Sequence, residues 1–63
     1  MAQQVAVRNL RRGDQISTGE VVENVWADSR TRKGYRSVLL REVDGTRRQT
    51  EWNASTRVSV HNR

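Results

Sequence analysis

The chain has no cysteine, no proline and no phenylalanine among its 63 residues, and its only histidine is His61. Without cysteine there are no disulfides and no thiolate metal sites, and one histidine cannot build a zinc site without several carboxylate partners. No metal and no cofactor are expected. Apolar runs are also missing: none is long enough for a signal peptide's core or a membrane span, so the expected location is intracellular, in the cytoplasm. No stretch carries helical periodicity over more than a turn or two. Carboxylates are scarce, and Asp14, Glu20, Glu23, Asp28, Glu42, Asp44 and Glu51 show no spacing that gathers two for acid–base work. With a lone His61 lacking a nucleophile beside it, the sequence points away from an enzyme.

What is present is positive charge. Twelve Lys and Arg against seven Asp and Glu give +5, and eleven of the twelve are Arg. A potential of that sign favours phosphate-rich polymers or acidic proteins, and the planar guanidinium grips phosphate bidentately and stacks on bases. A GC-rich genome produces the same Arg bias through its codons, which makes a bacterial or viral source the compositional expectation. At this length the chain forms one domain, residues 1–63, near the lower limit for a core without metal or disulfide, with frayed ends.

The apolar residues are few but spaced. Val5 and Val7 alternate with polar neighbours and predict a strand over residues 4–8. Arg11-Arg12-Gly13-Asp14 reads as a polar turn in which Asp14 caps its own bend, Ile16 re-enters apolar surroundings, and Ser17-Thr18-Gly19 makes a second bend. Residues 20–27 form the next strand. There Val21, Val22, Val25 and Trp26 defeat strict alternation, and a bulge near Glu23-Asn24 repairs it, turning Val22 and Val25 inward with Trp26 at the rim. Residues 35–43 carry apolar side chains on both faces, which suits a central strand. Asp44-Gly45 between two runs is a strong hairpin signal, with positive φ expected at Gly45 and conceivable at Asp44. Residues 46–52 make a polar fourth strand ending on Trp52. A short 3₁₀ turn is expected over residues 53–56, before a last strand holding Val58 and Val60. The predicted core is Val7, Ile16, Val22, Val25, Val38, Leu40, Val58 and Val60.

Five antiparallel strands with these connections resemble the SH3-like barrel, in the manner of small Tudor and KOW domains. The resemblance rests on Val5/Val7, the stretch Leu10-Arg11-Arg12-Gly13-Asp14-Gln15-Ile16, Gly19-Glu20-Val21-Val22, Asp44-Gly45, Trp52 and Val58/Val60. It implies a small all-β, five-stranded antiparallel barrel. The acidic connection and exposed aromatic cluster of proline-binding SH3 domains are missing, and a full methyl-lysine cage cannot be assembled from Trp26, Tyr35 and Trp52.

The candidate binding residues cluster around the loop at 28–34. Arg30, Arg32 and Lys33 sit on it, Arg36 follows just inside the next strand, and no acid lies between Asp28 and Glu42. Such a finger can follow a phosphate backbone and release counterions, although a solvated loop kept soluble by charge has the same composition. Trp26 and Tyr35 flank the loop and offer rings on which bases can stack. Of the adjacent Arg47 and Arg48 only one can share the patch, because neighbours on a strand face opposite ways, and Arg48 is the candidate. The expected function is nucleic-acid binding, DNA or RNA, with little sequence selectivity. The alternatives are an adaptor or inhibitor clamping an acidic protein surface, and a subunit of a larger assembly.

Overall fold

The computed structural model describes residues 2–62. The strands are β1 (Gln3–Ala6), β2 (Val21–Trp26), β3 (Tyr35–Arg41), β4 (Arg47–Asn53) and β5 (Arg57–Val60), with a 3₁₀ turn at Val7–Asn9. All pairing is antiparallel. β2, β3 and β4 form one sheet with β3 central, and β1 pairs with β5 in a second, two-stranded sheet. The two sheets are not hydrogen-bonded into a closed barrel. They meet through the segment before β2: Gly13 and Ile16 donate N–H groups to the carbonyls of Val22 and Glu20, while Ile16 also pairs with Val60 of β5.

The core lies between the sheets. Val5, Val7, Leu10, Ile16, Val22, Val38, Leu40 and Val60 are buried together, and Val25, Trp52 and Val58 pack against them partly covered. β-Branched side chains dominate this list, as suits the pleated surface of a strand. Val22 and Val25 reach the same face because the β2–β3 register shifts between Val22 and Asn24, leaving Glu23 as the extra residue. The expected bulge is present. Its neighbour Trp26 is half-buried on the outer face opposite Ser37.

Several expectations need correction. The expected tight turn at residues 53–56 is present as a single i→i+3 bond, Thr56 N–H to the Asn53 carbonyl at 3.0 Å, but the 3₁₀ helix of the fold lies after β1, at Val7–Asn9, where a strand was expected. β1 stops at Ala6 because Val7 and Arg8 donate to the carbonyls of Thr56 and Ala54, 2.8 and 3.2 Å away, which bends the chain. β3 ends at Arg41, and Val43 stands 86% exposed at the tip of the hairpin. That hairpin has a three-residue loop, Val43-Asp44-Gly45, closed by Glu42 N–H to the Thr46 carbonyl at 2.7 Å. Only Gly45 takes positive φ, +91°; Asp44 does not. A three-residue loop ending on a left-handed glycine is a common hairpin solution. Asp14 caps its turn as expected, accepting the Arg11 N–H at 2.8 Å, and is 7% exposed. The expected fraying concerns the chain ends, of which residues 1 and 63 lie outside the described residues.

Candidate nucleic-acid interface

The β2–β3 loop is built around Asp28. Its Oδ1 accepts the N–H groups of Arg30 and Thr31 at 2.9 and 3.1 Å, as Asp does in a side-chain-capped turn. Thr31 completes the arrangement. Its hydroxyl accepts the Asp28 N–H at 3.1 Å, donates to Asp28 Oδ1 at 3.2 Å and lies 3.0 Å from the Ser37 hydroxyl. One donor and two acceptor sites are then all used, with Ser37 as the second donor. These bonds, led by the Arg30 N–H, hold the Asp28 carboxyl below its usual range. A second turn follows, Tyr35 N–H to the Arg32 carbonyl at 2.9 Å, and Gly34 at φ +83° presents its carbonyl to the Ala54 N–H at 2.9 Å. The loop is therefore an internally bonded double turn tied to β3 and to the β4–β5 connection, not the free finger the sequence suggested.

Strand alternation decides which side chains meet. Tyr35, Ser37 and Leu39 of β3 share the outer face with Trp26 and Asn24 of β2 and with Asn53, Glu51 and Gln49 of β4. Trp26 faces Ser37, two residues from Tyr35, so the two rings are diagonal neighbours at the loop end of the sheet. The Arg32 guanidinium carbon lies 4.9 Å from the centre of the Tyr35 ring, a cation–π stack that gives the loop a planar charged surface. Arg30 and Lys33 are exposed on the same loop. Arg36 belongs to the opposite face, across from Trp52, and donates to the Tyr35 carbonyl at 3.0 Å. Glu51, across from Ser37, is the one acid that alternation places on this end of the outer face.

Arg48 is elsewhere. It pairs with Leu40, four residues from Arg36 along β3, about 13 Å at the rise of a strand. There it clamps Glu20 through Nε to Oε2 at 2.6 Å and Nη2 to Oε1 at 3.0 Å, with the Thr18 hydroxyl donating to the same carboxylate at 2.7 Å. The Arg48 bonds hold the Glu20 carboxyl below its usual value and raise the guanidinium's. Sequence reasoning gave no sign of this pair, because its members are 28 residues apart and meet only across the folded sheet. Arg41 and Arg47 similarly converge on Glu23, at 3.6 and 3.3 Å.

Of the seven residues singled out in the sequence, Trp26, Tyr35 and Arg32 meet at the loop end of the outer face, and Arg30 and Lys33 are exposed on the same loop. Arg36 borders them from the other face, and Arg48 is engaged by Glu20. Among the described residues none of Arg30, Arg32, Lys33 and Arg36 has a carboxylate in ion-pair range, and no three acid or histidine groups gather as metal ligands. No described helix is long and apolar enough to cross a membrane. The chain matches no family model, no curated protein and no solved structure.

Proposed function

We propose that this chain is a small basic nucleic-acid-binding domain of SH3-like architecture, acting inside the cell by binding rather than catalysis. The strand order supports the architecture: a β2-β3-β4 meander, β5 against β1, and a bridging segment between the sheets. The observation that carries the function is the set of four loop-end cations with no carboxylate in ion-pair range among the described residues, in a molecule where Glu20 and Glu23 pair with Arg41, Arg47 and Arg48 at the other end of the sheet. Arg30, Arg32, Lys33 and Arg36 supply charge to a phosphate backbone, and the Arg32–Tyr35 stack with Trp26 also supplies planar surface to unstacked bases. Nothing in this set reads base edges, so selectivity is low.

The test is binding to a short duplex and a single strand, followed by fluorescence anisotropy across salt concentrations. Four phosphate contacts give a log–log slope near −3.6 on duplex, or roughly a hundredfold loss of affinity between about 50 and 200 mM salt. Replacing Trp26 with Ala weakens single-strand binding, where stacking contributes about 1–3 kcal/mol per base, more than duplex binding. Affinity indifferent to salt would reject the phosphate contacts.

A further inference from the structure

An antiparallel strand gives alternate residues' backbone groups to each neighbour, so a strand at the edge of a sheet leaves one row open. Among the described residues β4 and β1 leave such rows; on β2, the other edge of its sheet, Val22 bonds to Gly13 and Asp14 and the Val25 N–H to the Asn24 side chain. The Glu42–Thr46 bond at 2.7 Å sets the alternation in the first: Arg48, Thr50 and Trp52 bond towards β3, and Arg47, Gln49 and Glu51 turn their backbone groups outward. In the second, the Val7–Thr56 bond at 2.8 Å and the register Val5↔Val58 and Gln3↔Val60 commit residues 3, 5 and 7 to β5. Both backbone groups of Gln4 and the N–H of Ala6 therefore face away from β5, with no partner among the described residues, while the Ala6 carbonyl opens the 3₁₀ turn at Val7–Asn9. The far side of β5 is already covered: the Ser59 carbonyl accepts from Ser17, and His61 N–H donates to Gln15.

The two edges differ in chemistry. β4 carries Arg47, Arg48 and Glu51, the kind of charge that blocks addition of a further strand. β1 reads Gln-Gln-Val-Ala and carries none. A shallow cleft of about 230 Å³ beside it is lined by Gln3, Gln4, Ala6, Arg8, Asn9 and Arg57. Arg57 lies opposite Ala6, and Arg8, 3.4 Å from the Ser55 hydroxyl, follows the strand; neither has a carboxylate in ion-pair range among the described residues. The edge ends there, because Arg8 N–H bonds to Ala54.

We propose that β1 accepts a short extended segment of an acidic protein partner, which adds as a strand along Gln3–Ala6 and sets its carboxylates against Arg8 and Arg57. Main-chain bonds to both backbone groups of Gln4 and to the Ala6 N–H supply affinity, and the two guanidinium groups supply the preference for acid. A second copy of the chain is the poorer occupant, since each copy carries +5 and would bring the same arginines. The site is independent of the loop cations, and each can fail without the other.

Acetyl-Glu-Glu-Val-Thr-Val-Thr-amide is the probe, with Lys-Lys in place of Glu-Glu as its control. An antiparallel addition brings the probe's first residues beside Ala6 and Arg8. Titrated into the ¹⁵N-labelled full chain, the acidic probe should shift the amides of Gln4 and Ala6 and slow their hydrogen exchange. The control should bind about tenfold or more weakly. Ala6 has φ −65° and ψ 143°, angles proline adopts, and its N–H is on the open side. Ala6→Pro should therefore keep the melting temperature and abolish binding. Arg57→Glu should reverse the preference to the Lys-Lys peptide, a readout that does not depend on proline being accommodated. Shifts confined to residues 47–53 or 30–36, no shifts up to the probe's solubility limit, or a concentration-dependent dimer abolished by Ala6→Pro would each overturn the proposal.

Discussion

The two ends of the three-stranded sheet carry nearly the same residue types and arrange them oppositely. At the hairpin end, Arg41, Arg47 and Arg48 meet Glu20 and Glu23, and their charge is consumed within the fold. At the loop end, the only acid in the loop is Asp28, which spends its oxygen on the N–H groups of its own turn, while Arg30, Arg32, Lys33 and Arg36 have no carboxylate in ion-pair range among the described residues. The difference teaches that a basic composition does not locate a basic site. What locates it is where the carboxylates are used.

The sharpest way to break this comparison is to remove the core that both ends share. Leu40 is fully buried, on the central strand. Leu40→Ala should cost about 2–5 kcal/mol, and thermal melts should show both ends lost in one transition; separate transitions would mean the two ends are independent units. Next in size is the division of the arginines. Arg30→Ala with Lys33→Ala should flatten the salt slope on duplex by about 1.8, whereas Arg41→Ala with Arg47→Ala should leave it unchanged. Equal effects from the two double variants would erase the distinction between the ends.

The hairpin end can also be strained by itself. No atom lies near the place where a Cβ on Gly45 would sit, so only the backbone angle resists substitution. Gly45→Val should cost about 1–2 kcal/mol in denaturant titrations and leave nucleic-acid affinity intact. The smallest effect belongs to the Glu20–Arg48 clamp. Because folding lowers the Glu20 carboxyl's pKa, its contribution is complete above the ordinary value of 4.5 and is lost as pH falls through the lower, folded-state value. Melting temperatures of the parent chain and Glu20→Gln should therefore converge in acid. A gap constant with pH would show that the carboxylate's charge does not matter.

Much of the fold was legible because its signals are local. Val-rich alternation gave the strands, Asp44-Gly45 gave the hairpin, and the misfit of Val22 with Val25 gave the bulge. Six of the eight predicted core residues are buried, and Val25 and Val58 pack against them in part. What escaped depends on contacts far along the chain. The alternation of Val5 and Val7 predicts a strand through Arg8, but the carbonyls of Ala54 and Thr56 pull the backbone aside two residues earlier. Leu10 and Ala54 are buried at bends that have no periodicity of their own. The cationic loop was visible as a run free of acids, whereas the engagement of Arg48 by Glu20 and the placing of Arg36 on the other face appear only once the strands are paired.

The bulge in β2 also bears on how the sequence can change length. Val22 pairs with Leu40 and Asn24 with Leu39, so both neighbours of Glu23 already sit in consecutive register. Deleting Glu23 would leave a gapless ladder with every later side chain on its present face. Length changes are usually absorbed in loops, and a single deletion inside a regular strand inverts everything beyond it. Here the middle of a core strand is a site where one codon can be lost without changing the phase of the side chains that follow. The cost falls on local twist and on Arg41 and Arg47, which would lose their shared carboxylate and join the unpaired cations.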